Sequence, residues 1–152
     1  MRQIFLVEDN KDDRDLFQLA LRHCHISAAL TFAHNASEAI VRLNRMGPYS
    51  KLPLPDLIVL DMHLPGLDGS KLLEVIRNSM VTKRVAVMVL SAAFLDSDRE
   101  KCEALGISAF VRKPMTFAGL LELVRQLPVF FPARSDLEAR RDRPKTPLPG
   151  TF

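Results

Sequence analysis

The stretch LIVLDMHLPGLDG at residues 57–69 decides how the rest of the chain is read. Leu57 to Leu60 form a continuous apolar run, the pattern of a central strand covered on both faces. The run ends on Asp61 and passes through the turn Pro65-Gly66-Leu67-Asp68-Gly69, after which Leu72, Leu73 and Ile76 recur at helical spacing. A strand, a turn and a helix in that order make one unit of a parallel sheet.

The same alternation repeats outward in both directions. Toward the N-terminus, Gln3 to Val7 predicts the first strand, and a helix follows with Leu16, Phe17, Ala20, Leu21 and Cys24 on one face. A short strand near Leu30 to Ala33 leads into a helix over Ser37 to Met46, which ends at Gly47 and Pro48 and opens a Pro-rich loop to Pro55. Toward the C-terminus, Val85 to Leu90 reads as a second central strand, Asp96 to Leu105 as a helix stopped by Gly106, and Ser108 to Val111 as the last strand. A closing helix carries Phe117, Leu120, Leu121, Val124 and Leu127 on one face. Five strand–helix units predict an α/β fold, a doubly wound five-stranded parallel sheet between two helical layers. Residues 1–127 are expected to form this domain. Residues 128–152 hold five of the ten prolines among arginines and are expected to be a flexible tail, with a short helix over Ser135 to Arg141 on capping-box spacing.

Composition excludes several classes. The chain is 47% hydrophobic and 26% charged, ordinary for a globular domain, and no apolar run approaches the roughly 20 residues that cross a bilayer. The N-terminus meets Glu8 and Asp9 before a cleavable hydrophobic segment develops, so a cytoplasmic location is expected. Cys24 and Cys102 are too few for a disulfide framework and read as buried thiols. The net charge of +3 lies mostly in the tail, where five basic residues face three acidic ones and leave +2. The body is nearly neutral and has no base-reading helix, so no nucleic-acid partner is expected.

In a doubly wound sheet the carboxyl ends of the strands share one rim. Glu8, Asp9, Asp61, Ser91 and Lys113 stand at the ends of the first, third, fourth and fifth strands. Carboxylates crowded together repel, and a hard divalent cation with oxygen ligands relieves that repulsion, so Mg²⁺ is the expected cofactor. The backbone carbonyl of His63 supplies a further oxygen. Lys113 and Ser91 offer an ammonium and a hydroxyl to an anion over Asp61, which fits in-line phosphoryl transfer to that carboxylate.

VEDN at 7–10, LIVLDMHLPGLDG at 57–69, VLSAA at 89–93 and FVRKP at 110–114 together resemble the response-regulator receiver family over about residues 3–127. The resemblance implies the flavodoxin-like (βα)5 three-layer sandwich. It also implies Asp61 as phosphoacceptor, Asp9 as a direct metal ligand, Glu8 as a metal partner through water, Ser91 and Phe110 as a switch pair, and a cis bond before Pro114. Ser91 stands where threonine is commoner, and His63 and Ala93 occupy positions that tune phosphoryl lifetime. GPYSKLPLPD at 47–56 is similar to the small receivers that partner phytochrome-type histidine kinases. The expected protein is thus a single-domain response regulator of a two-component phosphorelay. It takes its phosphoryl group from a histidine kinase, has no metabolic activity, and signals by protein contact, with a homodimer open.

Three rivals stand beside that reading. A phospho-aspartate phosphatase fits poorly, because its D-x-D pattern is interrupted here by His63. A flavin-binding fold is disfavoured by the acidic loop EDNKDD at 8–13, which repels phosphate. The third is a vestigial receiver that acts as a phosphorylation-independent scaffold. The run His23-Cys24-His25 is not a metal site, since adjacent helical residues project about 100° apart. Phe130 and Phe131 are expected to pack on the domain or on a partner copy.

Overall fold

The periodicities that separate strand from helix also assign each side chain to a face. The computed structural model describes residues 1–133. In chain order it contains β1 (Arg2–Val7), α1 (Lys11–His23), β2 (Ala28–Ala33), α2 (Ala36–Leu43) and β3 (Leu57–Asp61). There follow the two-residue strands β4 (His63–Leu64) and β5 (Leu67–Asp68), then α3 (Gly69–Asn78), β6 (Ala86–Ser91), α4 (Asp96–Ala104), β7 (Ala109–Arg112) and α5 (Phe117–Gln126). Single turns of 3₁₀ helix lie at Gly47–Tyr49 and Leu127–Phe130. The main sheet is parallel, five-stranded and ordered β2-β1-β3-β6-β7.

Alternate residues along the central strands feed two separate cores. Phe5, Val7, Ile58, Leu60, Val87 and Val89 pack with Ala39, Leu43, Leu72, Leu73, Ile76 and Cys102, so α2, α3 and α4 cover one face. Ile4, Leu6, Leu57, Val59, Met88 and Leu90 pack with Phe17, Ala20, Leu21, Leu123, Val124 and Leu127, so α1 and α5 cover the other. The five residues of β3 are all buried, which is why that strand reads as unbroken apolar sequence. The sheet and its two helical layers thus match the expected fold class.

Helix starts follow side-chain chemistry. Asn10, Asn35, Asp68 and Thr116 cap α1, α2, α3 and α5 by accepting backbone N–H bonds. Gly106, at φ +79°, turns the chain out of α4 in the left-handed region where glycine carries no Cβ penalty.

Local differences from the sequence reading have physical causes. The turn at 65–69 sits in a small antiparallel hairpin, with His63 opposite Asp68 and Leu64 opposite Leu67. Leu16 is 41% exposed, because Phe17, Ala20 and Leu21 define the buried face of α1 and Leu16 lies one residue round from Phe17. Cys102 is fully buried but Cys24 only partly so. The Lys113–Pro114 bond, expected to be cis, is trans: the described residues contain no cis peptide. An X–Pro amide favours trans by about 0.5–1 kcal/mol, and from that isomer Lys113 N–H already donates to Ser91 O at 3.0 Å. The expected helix over Ser135 to Arg141 and the flexibility of the tail lie outside the described residues. Before that limit, Phe130 and Phe131 pack against the α1/α5 core, and Arg2 Nη1 donates to Pro132 O at 2.7 Å.

One polar side chain ties α3 to the loops that launch β6 and β7. Arg77 donates from Nε and Nη2 to Gly106 O at 2.9 and 2.7 Å, and from Nη1 to Val85 O at 2.8 Å. It thereby satisfies carbonyls that no ladder reaches. Arg77→Ala is expected to cost about 2 kcal/mol in urea denaturation, while Arg77→Lys recovers only part of the loss because a point cation cannot span the same set of acceptors.

Candidate functional site

Parallel pairing brings four strand ends to one edge. Asp61 closes β3 opposite Leu90, Ser91 closes β6 opposite Arg112, and Glu8 follows β1 with its N–H donated to Ala33 O at 3.0 Å. Lys113 follows β7. One oxygen from each of Glu8, Asp9 and Asp61 lies within 4.8 Å of the others, and Glu8 and Asp61 are only 3% and 5% exposed.

Lys113 Nζ donates to Glu8 Oε2 and to Asp61 Oδ2, both at 2.9 Å, and pairs with Asp13 Oδ2 at 3.2 Å. The other Asp61 oxygen, Oδ1, accepts the N–H of His63 at 3.0 Å, while the His63 side chain is exposed. Asn10 N–H donates to Glu8 Oε1 at 3.2 Å. Burial, reinforced by the charge of Asp61 and opposed by the Lys113 hydrogen bond, raises the Glu8 pKa to about 7. Burial works against the Lys113 charge, but its bonds to Asp61 and Glu8 outweigh that effect and hold the ammonium protonated well above the usual lysine range. Glu8 therefore takes up a proton more readily than a carboxylate in water, chiefly because it is buried.

The donors fit a hard cation. They are carboxylate oxygens, with the His63 backbone beside them and no cysteine or imidazole nitrogen in the cluster. An open groove of about 580 Å³ runs from Asp9 along the β4–β5 hairpin to Asp98, so the cluster meets this groove through Asp9.

Four contributors were not singled out in the sequence. Buried Arg14 donates from Nη1 to Glu8 O and Asp9 O, both at 3.0 Å, fixing the loop that bears two of the acids. Its signal was a charge at the position of α1 where the buried face passes, three residues before Phe17. Gly69 starts α3, and a Cβ there would stand 2.8 Å from Met62 Cα and O and 3.0 Å from Asp61 O. The glycine lets the hairpin close onto the Asp61 backbone, with Gly69 N–H donating to Met62 O at 2.8 Å. Asp13 has been described above. Phe94 is the fourth.

Ser91 and Phe110 are joined through Phe94. The Ser91 side chain is fully buried, and its Oγ accepts the N–H of Phe94 at 2.9 Å. Phe94 has φ +53°, a left-handed conformation that costs a residue with a Cβ about 1–2 kcal/mol. Its ring stacks on Phe110 at 5.5 Å between centroids, with the guanidinium groups of Arg99 and Arg112 at 4.5 and 4.8 Å from the Phe94 ring centre.

Comparison with known proteins agrees with this fold. The family model described as "Response regulator receiver domain" matches residues 4–125. The response regulator Rcp1 of Synechocystis sp. is 30% identical over 128 residues, covering 84% of this chain and 87% of that protein. The crystal structure of the phosphorylated cyanobacterial phytochrome response regulator RcpA superposes with a TM-score of 0.78 at 32% identity, over 86% of this chain and 93% of that one. The Mn²⁺-bound form of Rcp1 also gives 0.78, at 29% identity, over 88% and 100%.

Two substitutions test this architecture. Gly69→Ala is expected to destabilise the fold by about 1–3 kcal/mol in urea denaturation, since backbone rather than a flexible side chain must move. For Glu8, folding raises the pKa from 4.5 to about 7, so between those values the native state holds a proton that the unfolded chain has lost. The resulting stabilisation is complete below about pH 4.5 and disappears as the pH rises through 7. Metal-free Glu8→Gln should accordingly gain on the wild type from pH 5 to pH 8, by on the order of 2 kcal/mol in urea denaturation.

Proposed function

The chain belongs to the response regulator receiver domain family, whose general function is phosphorylation on an aspartate, and from that premise we propose that Asp61 is the phosphoacceptor of a single-domain response regulator. The observation that carries the assignment is Lys113 Nζ at 2.9 Å from both Asp61 and Glu8, inside a cluster of three carboxylates whose Asp9 lines an open groove. A phosphorylated histidine of a kinase is the donor. The P–N bond to its imidazole breaks, a P–O bond forms to an Asp61 oxygen, and the electron pair returns to the ring nitrogen.

Each neighbour has a task in that transfer. Lys113 neutralises charge on the moving phosphoryl oxygens. Ser91 supplies a hydroxyl to one of them once its oxygen is released from the Phe94 amide. Asp9, Asp61 and the His63 carbonyl would hold Mg²⁺, and Glu8 would act on it through water. When bound, Mg²⁺ would supply charge compensation to the phosphoryl oxygens and relieve the repulsion among the three carboxylates. The protein assists its own phosphorylation and dephosphorylation and is not a metabolic enzyme.

The output is a change of surface. Movement of Ser91 toward the phosphoryl group disturbs the Phe94–Phe110 stack, so the face formed by α4, β7 and α5 reads the charge state of Asp61. Residues 1–127 form the receiver and 128–152 a Pro/Arg-rich tail. The partner kinase is of the phytochrome type, a reading supported by the likeness to RcpA, a phytochrome response regulator. Phosphotransfer takes place in the cytoplasm, and among the described residues no helix is long and apolar enough to cross a membrane.

The test uses the Mg²⁺-loaded protein and a small acyl phosphate. Wild type should gain the mass of one phosphoryl group, Asp61→Asn none, and Lys113→Ala at a rate lowered by about 10²-fold. No gain on the wild type, or equal gain on Asp61→Asn, overturns the assignment.

A further inference from the structure

Lys113 serves two carboxylates of the acidic cluster and one that lies outside it. Glu8 and Asp61 take its two hydrogen bonds, and Asp13 stands 3.2 Å from the same nitrogen. Asp13 lies outside the group of three converging acids: it belongs to the first turn of α1, and its side chain is 42% exposed. Its place is nevertheless fixed. Asn10 caps α1 by accepting Asp13 N–H at 3.0 Å, and Asn10 N–H in turn donates to Glu8 Oε1 at 3.2 Å. These contacts close a ring from Glu8 through Asn10 and Asp13 to Lys113 and back to Glu8.

Negative charge in the first turn of a helix is favourable by itself, and Asp12 shares that position. The macrodipole does not account for the approach of Asp13 to an ammonium 100 residues away in the chain. Nor does it explain why an amino group already bonded to two buried carboxylates is drawn toward a third at the rim.

We propose that Asp13 is a positioning residue of the Asp61 site, which holds the Lys113 ammonium toward α1 in the resting protein and competes for it with the oxygens of a phosphoryl group on Asp61. The inference rests on the phosphoacceptor reading of Asp61. An ammonium has three N–H donors. Two point at Asp61 and Glu8, and the third direction is contested between Asp13 and an arriving anion. A carboxylate with one side in water yields such a contact readily, so Asp13 weakens the held phosphoryl state without forbidding it. An exposed partner of this kind shifts an equilibrium by about two- to fivefold.

Asp13→Asn keeps the shape of the side chain and leaves the backbone cap untouched. Beryllofluoride titrated into the Mg²⁺-loaded proteins and followed by fluorine NMR should bind this variant about three- to fivefold more tightly than wild type. Phosphoryl lifetime should lengthen by a similar factor, and Asp13→Glu should return both values to those of wild type. Without metal or anion, the ¹H–¹⁵N signal of the Lys113 ammonium should shift in Asp13→Asn. It should stay in place in Asp12→Asn, which removes the same helix-end charge without touching Lys113. Equal beryllofluoride affinity in wild type and Asp13→Asn overturns the role of Asp13 and leaves Asp61 standing, and so does an equal gain in Asp12→Asn. A wild type that takes up no beryllofluoride removes both readings together.

Discussion

The concentration of negative charge at the carboxyl edge of the sheet is the constraint on which the rest of this structure depends. Glu8, Asp9 and Asp61 offer oxygens within 4.8 Å of one another, and two of these residues are almost completely buried. Burial, reinforced by the neighbouring Asp61 charge, raises the pKa of Glu8 to about 7. One ammonium within hydrogen-bonding distance of two of these carboxylates prevents the edge from flying apart. A site that contains more anionic charge than its own cation neutralises has a standing affinity for further positive charge, and that is the property a metal-assisted acceptor needs.

The core holds the acids in place against this repulsion. Strands β1, β3 and β6 send alternate residues into two apolar layers, so neither can slide along its neighbour without turning a whole face outward. Register fixes where each strand ends, and the functional side chains sit at those ends. Arg14, which ties down the carbonyls of Glu8 and Asp9, and Gly69, which lets the hairpin close on Met62, then set the positions within that frame. The same order applies around Ser91. Ser91 is held by the end of β6, while a strained Phe94 carries its hydrogen bond outward to the partly exposed Phe110 ring.

Sequence alone determined the architecture and the membership of the acidic cluster. Apolar runs and helical spacing depend on local burial, and the residues that end the strands are adjacent in the chain to the runs that define them, so Glu8, Asp9, Asp61, Ser91 and Lys113 were legible from pattern. What only the tertiary structure decided are relations between distant segments. Asp13 and Lys113 form a pair because α1 and the end of β7 meet at one edge. Phe94 stands between Ser91 and Phe110 because one residue adopts a left-handed backbone that no composition announces. The Lys113–Pro114 bond is trans although the family resemblance implied cis, since isomer choice is settled by small energies in a folded context. Local pattern selects elements and faces, whereas an ion pair or a ring stack requires a distance between two residues, and that distance exists only once the chain has folded.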